Sequence, residues 1–129
     1  MTDWIRTQVG LLRTQWPDLR YLAEPSGHWV LLPDWAMPHG WSIALVDVAC
    51  QIPATPEQPP YAFYVNSPNL TFNGSQPGSW TPSAAVPFAG AWSVFSWAPE
   101  VWQPSAGSHL GPSMLTFARS FADRLGEGV

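Results

Sequence analysis

The stretch Trp41-Ser42-Ile43-Ala44-Leu45-Val46-Asp47-Val48-Ala49-Cys50-Gln51-Ile52, followed by Pro53-Ala54-Thr55-Pro56-Glu57-Gln58-Pro59-Pro60 and then Tyr61-Ala62-Phe63-Tyr64-Val65, decides how this chain folds. Ala44, Val46, Val48, Cys50 and Ile52 share one face at a period of two, while Asp47 and Gln51 fall on the other. That alternation is the mark of a half-buried strand, predicted here over Trp41 to Ile52. It turns Cys50 toward the core. Prolines lack the N–H that a ladder needs, so the run from Pro53 to Pro60 ends this strand and leads into a second, predicted over Tyr61 to Val65. A connection this short makes the two antiparallel neighbours.

The same pattern extends upstream. Strands are predicted over Leu19 to Ala23 and His28 to Leu32, on either side of the turn Glu24-Pro25-Ser26-Gly27, and Met37-Pro38-His39-Gly40 leads into the long strand. Ahead of them, Ile5, Val9, Leu12 and Trp16 form one stripe of a helix, with Arg6 and Arg13 on other faces and Pro17 as its stop. Downstream, from Asn66 to Gly111, neither helical nor strand period survives, and Glu100 is the only charged residue between Asn66 and Ala118. This stretch is expected to be a long irregular segment, packed by Trp80, Trp92, Trp97 and Trp102 or offering them as an exposed aromatic platform. Pro112 and Ser113 open a last helix whose stripe is Met114, Phe117, Phe121 and Leu125, with an Arg119/Asp123 pair and Gly126 past its end. The expected fold is α+β: one domain over residues 1–129, with an N-terminal helix, a four-stranded antiparallel meander, a long irregular segment and a C-terminal helix, the helices covering one face of the sheet.

Composition narrows the function classes. All five cations are arginines, at positions 6, 13, 20, 119 and 124, and the net charge of −4 speaks against gripping nucleic acid or an anionic membrane. The single cysteine rules out an internal disulfide and a multi-cysteine zinc site, and it fits a reducing, cytoplasmic setting. No stretch approaches the ~18 apolar residues of a membrane span. Nine Trp, six Phe and three Tyr are too much apolar mass for a solvated coil. His28, His39 and His109 lack ligand-like spacing, the glycines form no phosphate-cradling loop, and there is no Gly-x-Ser-x-Gly elbow, so neither a metal, a cofactor nor a hydrolase triad is expected.

The order of elements and the text around the fourth strand resemble the ubiquitin-conjugating enzyme (UBC) superfamily, in particular its divergent prokaryotic members. That family carries an apolar residue and Pro, then Tyr-Pro, then Pro-Pro ahead of its fourth strand. This chain has Ile52-Pro53, Thr55-Pro56 and Pro59-Pro60, with threonine where tyrosine is usual. The family follows with His-Pro-Asn, an apolar residue, an Asn-Gly turn and its catalytic cysteine; here stand Ser67-Pro68-Asn69-Leu70 and Asn73-Gly74-Ser75-Gln76-Pro77. Trp102-Gln103-Pro104 is similar to a later Trp-x-Pro of the family.

The departure sets the expected function. Counted from Asn69, the family's nucleophile position is Pro77, and the tripeptide's histidine is Ser67. Proline can form no thioester, and Cys50 on an apolar strand face is expected to be a packed, unreactive thiol. Asn69 then either keeps an oxyanion-supporting role or simply serves a turn. The resemblance implies a noncatalytic UBC-like protein that binds a ubiquitin-like modifier, an activating-enzyme homologue, or both, in a bacterial conjugation pathway of the kind found in antiphage gene clusters. In the family the first helix receives the activating enzyme, which would make Arg6 and Arg13 docking residues; otherwise they are solvated charges. Trp97 and Trp102 are further candidates for partner binding. Two other readings stand beside this one: an active conjugating enzyme whose nucleophile is unrecognised or engineered out, and an aromatic-rich module that binds carbohydrate or protein.

Overall fold

The structure is a computed structural model that describes residues 2–96, 102 and 113–127. Its first helix, α1 (Asp3–Arg13), starts where the Thr2 hydroxyl accepts the Ile5 N–H at 3.2 Å, with Asp3 placed favourably in the first turn. Ile5, Val9 and Leu12 are buried, as the stripe predicts, and Gln8 is buried with them. The helix stops at Arg13, ahead of Pro17, and the Thr14 hydroxyl donates to the Leu11 carbonyl at 2.6 Å. Trp16 therefore joins the core from outside the helix, its ring stacked 5.1 Å from that of Trp35.

The strands are β1 (Arg20–Glu24), β2 (Gly27–Ala36), β3 (Leu45–Ile52), β4 (Phe63–Val65), β5 (Trp80–Ala84) and β6 (Trp92–Phe95), in one antiparallel sheet of order β1-β2-β3-β4-β6-β5. β2 runs four residues beyond the expected Leu32 because its register slips between Leu32 and Trp35. Pro33 has no ladder N–H to give, Asp34 turns to φ 54°, and its N–H reaches Asp47 Oδ1 at 3.2 Å. β3 begins at Leu45 rather than Trp41; the residues before it bond elsewhere, Ser42 N–H to the Thr71 carbonyl at 2.9 Å, and Ala44 is exposed instead of lining the apolar face. Ala62, at φ 70°, delays β4 until Phe63.

Two expectations are corrected. The sheet has six strands rather than four, and the segment expected to be irregular holds β5 and β6. β5 carries Pro82, which an edge strand tolerates because its outer N–H groups have no ladder partner to lose. β6 pairs directly with β4, setting Phe95 opposite Phe63.

Both faces of the sheet are covered. On one, Val46, Val48, Cys50, Ile52, Phe63 and Phe95 pack against the two helices. α2 (Met114–Gly126) contributes Met114, Phe117, Phe121 and Leu125, and opens with a capping box between Ser113 and Thr116. Gly126 lies within its last turn, with Glu127 as the cap, and the Arg119 Nε turns to Gln15 Oε1 (3.4 Å) rather than to Asp123. Buried Gln8 ties the helices together by accepting the Met114 N–H at 2.8 Å, one of the orphan donors at the start of α2. On the opposite face the connection between β5 and β6 folds over the sheet: Phe88 lies on a cluster of Trp29, Leu31, Ala49 and Trp92, with the Arg20 guanidinium 5.6 Å from its ring centre.

Candidate functional site

The corner that follows β4 is built by side chains standing in for a ladder. Asn66 grips Asp47 of β3 three ways: Asn66 N–H to the Asp47 carbonyl (3.1 Å), Asp47 N–H to Asn66 Oδ1 (2.8 Å) and Asn66 Nδ2 to Asp47 Oδ2 (3.4 Å). Ser67 turns inward and is buried, its N–H bonded to the Val65 carbonyl at 2.8 Å and its Oγ accepting the Asn69 N–H at 3.4 Å. Pro68 and Asn69 stand exposed on the outside of this turn, and Leu70 anchors it in the core.

Beyond Leu70 the chain makes a tight hairpin. Phe72 and Ser75 exchange both backbone hydrogen bonds (2.8 and 3.0 Å) around Asn73 (φ 50°) and Gly74 (φ 82°), the two left-handed residues that such a turn requires. The hairpin is docked onto the Met37–Trp41 turn by the Asn73 N–H, which donates to the Gly40 carbonyl at 2.8 Å, and by Phe72 against Trp41 at 5.1 Å. Gly40 sits at φ 104°, and a Cβ there would come within 2.8 Å of Asn73 Oδ1 and 2.9 Å of the Phe72 ring. Gly40→Ala should therefore cost about 1–3 kcal/mol, read as a fall in the denaturant midpoint, whereas Gly10→Ala on the exposed side of α1 should be neutral or stabilising. Equal effects of the two substitutions would show that the hairpin is not docked in this way.

Pro77 is buried just past this hairpin and offers no nucleophile. Cys50 is fully buried on the helix-facing side of β3, and burial pushes its thiol up to about 12. At neutral pH only about one molecule in 10⁵ would hold a thiolate. Neither residue can do acyl-transfer chemistry in the folded state.

Family models, curated proteins and solved structures contain no match to this chain.

The other predicted residues fall into place around the corner or away from it. Arg6 and Arg13 are both exposed on α1, Arg6 held by Asp3 at 3.0 Å in a solvent-facing pair. Trp102 is half-buried and pinned, its Nε1 donating to the Pro56 carbonyl at 2.8 Å. Trp97 and His109 lie outside the described residues. Trp92 is buried, its Nε1 donating to the Ala89 carbonyl at 3.2 Å, so it is packing rather than an exposed platform, and Trp80 is half-buried against the helix-side core. His28 shares a 2.6 Å hydrogen bond with the Tyr21 hydroxyl. Among the described residues no three His, Cys, Asp or Glu side chains are grouped to hold a metal, and no helix is long and apolar enough to cross a membrane.

Two features escaped the sequence reading. The first is the Asn66–Asp47 clamp, which had no signal beyond an asparagine after a strand. The second is the role of the proline run as an acceptor surface: the Pro53 and Pro56 carbonyls take the indole N–H groups of Trp4 and Trp102, each at 2.8 Å. Prolines spaced along a connection leave carbonyls without ladder partners, and an indole N–H is a donor without an acceptor role, so the match could have been sought.

Proposed function

We propose that this chain is a divergent prokaryotic relative of the ubiquitin-conjugating enzymes that has lost thioester chemistry and acts by binding. Its partners are a ubiquitin-like modifier, an activating-enzyme homologue, or both, in a cytoplasmic bacterial conjugation pathway of the antiphage-defence kind. The observation that carries the proposal is the corner after β4. It has the family's order of landmarks, with Ser67-Pro68-Asn69 on a tight turn and Asn73-Gly74 on a hairpin, yet it ends on buried Pro77 while the sole thiol is sealed beneath the sheet. A scaffold of this kind keeps its exposed recognition surfaces after the sulfur is gone. Exposed Arg6 and Arg13 on α1 supply a cationic face for the activating-enzyme homologue. The β5–β6 hairpin beside β4 lies outside the four-stranded pattern that the resemblance implies.

The proposal is tested by titrating the protein with the modifier and the activating-enzyme homologue encoded nearest to its gene. Binding in the micromolar range is expected, with the charge reversal Arg6→Glu/Arg13→Glu weakening the activating-enzyme complex about tenfold in low salt. No binding to either protein at high micromolar concentration would overturn it.

A further inference from the structure

At one end of the sheet, the β1–β2 turn faces the proline run across a cavity of about 270 Å³. We propose that this cavity is a binding site for a neutral saccharide. Its chemistry selects the ligand by exclusion. No Asp, Glu, Lys or Arg is among the described residues that line it, so a phosphate, a carboxylate or an ammonium group would give up its hydration without meeting a countercharge. A purely apolar ligand fares no better, because it would strip water from polar groups that converge there.

Those polar groups are held in place. Gln51 Nε2 donates to the Ser26 carbonyl at 2.9 Å, which fixes the carboxamide and leaves its Oε1 free to accept. Gln58 adds a second, exposed carboxamide. Carboxamides both donate and accept, as hydroxyl groups do, so vicinal hydroxyls suit them better than a ligand of one polarity. The walls are Tyr61 and Tyr64, whose aromatic faces are of the kind on which the C–H face of a pyranose rests, with Pro53 and Pro60 as apolar walls beside them. Tyr61 is 59% exposed, one of two large apolar side chains so exposed among the described residues, and it stands at the rim of the cavity. The Tyr64 hydroxyl, partly desolvated and beside Tyr61, has its pKa raised, so it remains a neutral donor.

The inference is independent of the conjugation reading, since it uses neither the Ser67–Pro77 corner nor α1. Its test is a nuclear magnetic resonance titration of the ¹⁵N-labelled full chain with glucose, galactose and N-acetylglucosamine, each up to about 20 mM. At least one sugar should shift the Gln51 and Gln58 side-chain amides and the Gly27 N–H together, and to saturation. Tyr61→Ala removes an exposed ring and leaves the core intact, so it should weaken that binding about tenfold. Gln58→Ala, also on the surface, should weaken it as well. The assignment is overturned if none of the three sugars gives a saturating shift at these resonances, if Tyr61→Ala binds as well as the parent, or if adenosine monophosphate or a proline-rich peptide shifts the same resonances and the sugars do not.

Discussion

Phe121→Ala should destabilise the protein by about 3–5 kcal/mol, a large fraction of the roughly 5–15 kcal/mol that holds a domain together. Phe121 is fully buried at the centre of the helix-side core. Its ring stacks on Phe63 of β4 at 4.3 Å with an interplanar angle of 5°, and it meets Phe95 of β6 at 5.4 Å and Trp35 of β2 at 5.8 Å. One side chain of α2 thus touches three strands, and its loss leaves a void that rigid aromatic neighbours cannot fill by small shifts. Thermal unfolding should shift down by about 10–20 °C, and Phe121→Leu, which keeps much of the volume, should lose less than half as much. A Phe121→Ala midpoint within about 3 °C of the parent would mean that α2 does not pack on the sheet as described.

The second large effect concerns the thiol. In the folded protein Cys50 should react with a thiol reagent at least about 10³-fold more slowly than in denaturant, because reagent must wait for the sheet to open and because the thiolate is scarce. The same burial makes stability depend on pH. The folded thiol titrates near 12, the unfolded one near its ordinary value of about 8.5–9. Between these values the unfolded chain binds fewer protons than the folded one, so stability falls as pH rises; below the unfolded value the group contributes no slope. Relative to Cys50→Ala, the parent should lose roughly 2–3 kcal/mol between pH 8 and about pH 11. Rapid labelling of the native protein, or parallel pH curves for the two proteins, would place the sulfur at the surface and reopen it as a nucleophile.

Much of the helix-side core is legible in the sequence because each stripe has a single period. Ile5, Val9 and Leu12 repeat along α1, Met114, Phe117, Phe121 and Leu125 along α2, and Val46, Val48, Cys50 and Ile52 along β3. The β5–β6 hairpin is not legible, for physical reasons. β6 is four residues long, too short to show alternation, and β5 carries a proline that only an edge position permits. The cover on the opposite face is equally hidden. Trp29 and Leu31 alternate with Val30 and Leu32, all four buried, so that β2 reads as a continuous apolar run whose second partner, the Phe88 connection, comes from far along the chain. At the corner, Ser-Pro-Asn and Asn-Gly announce turns through their own backbone preferences, and both turns form. What no local signal reveals is which neighbours those turns dock on, such as Asp47 for Asn66 and Gly40 for Asn73. These pairings are set by the sheet as a whole.

A noncatalytic member of a conjugation pathway, as proposed, would bind a modifier or an activating-enzyme homologue without carrying the modifier covalently. Mass spectrometry of the protein incubated with ATP, an activating-enzyme homologue and a ubiquitin-like modifier tests it most directly, recorded first under native and then under denaturing conditions. The expected result is a noncovalent complex that falls apart on denaturation to leave this chain at its unmodified mass. A species heavier by one modifier less water, released by reducing agent or hydroxylamine, would contradict it.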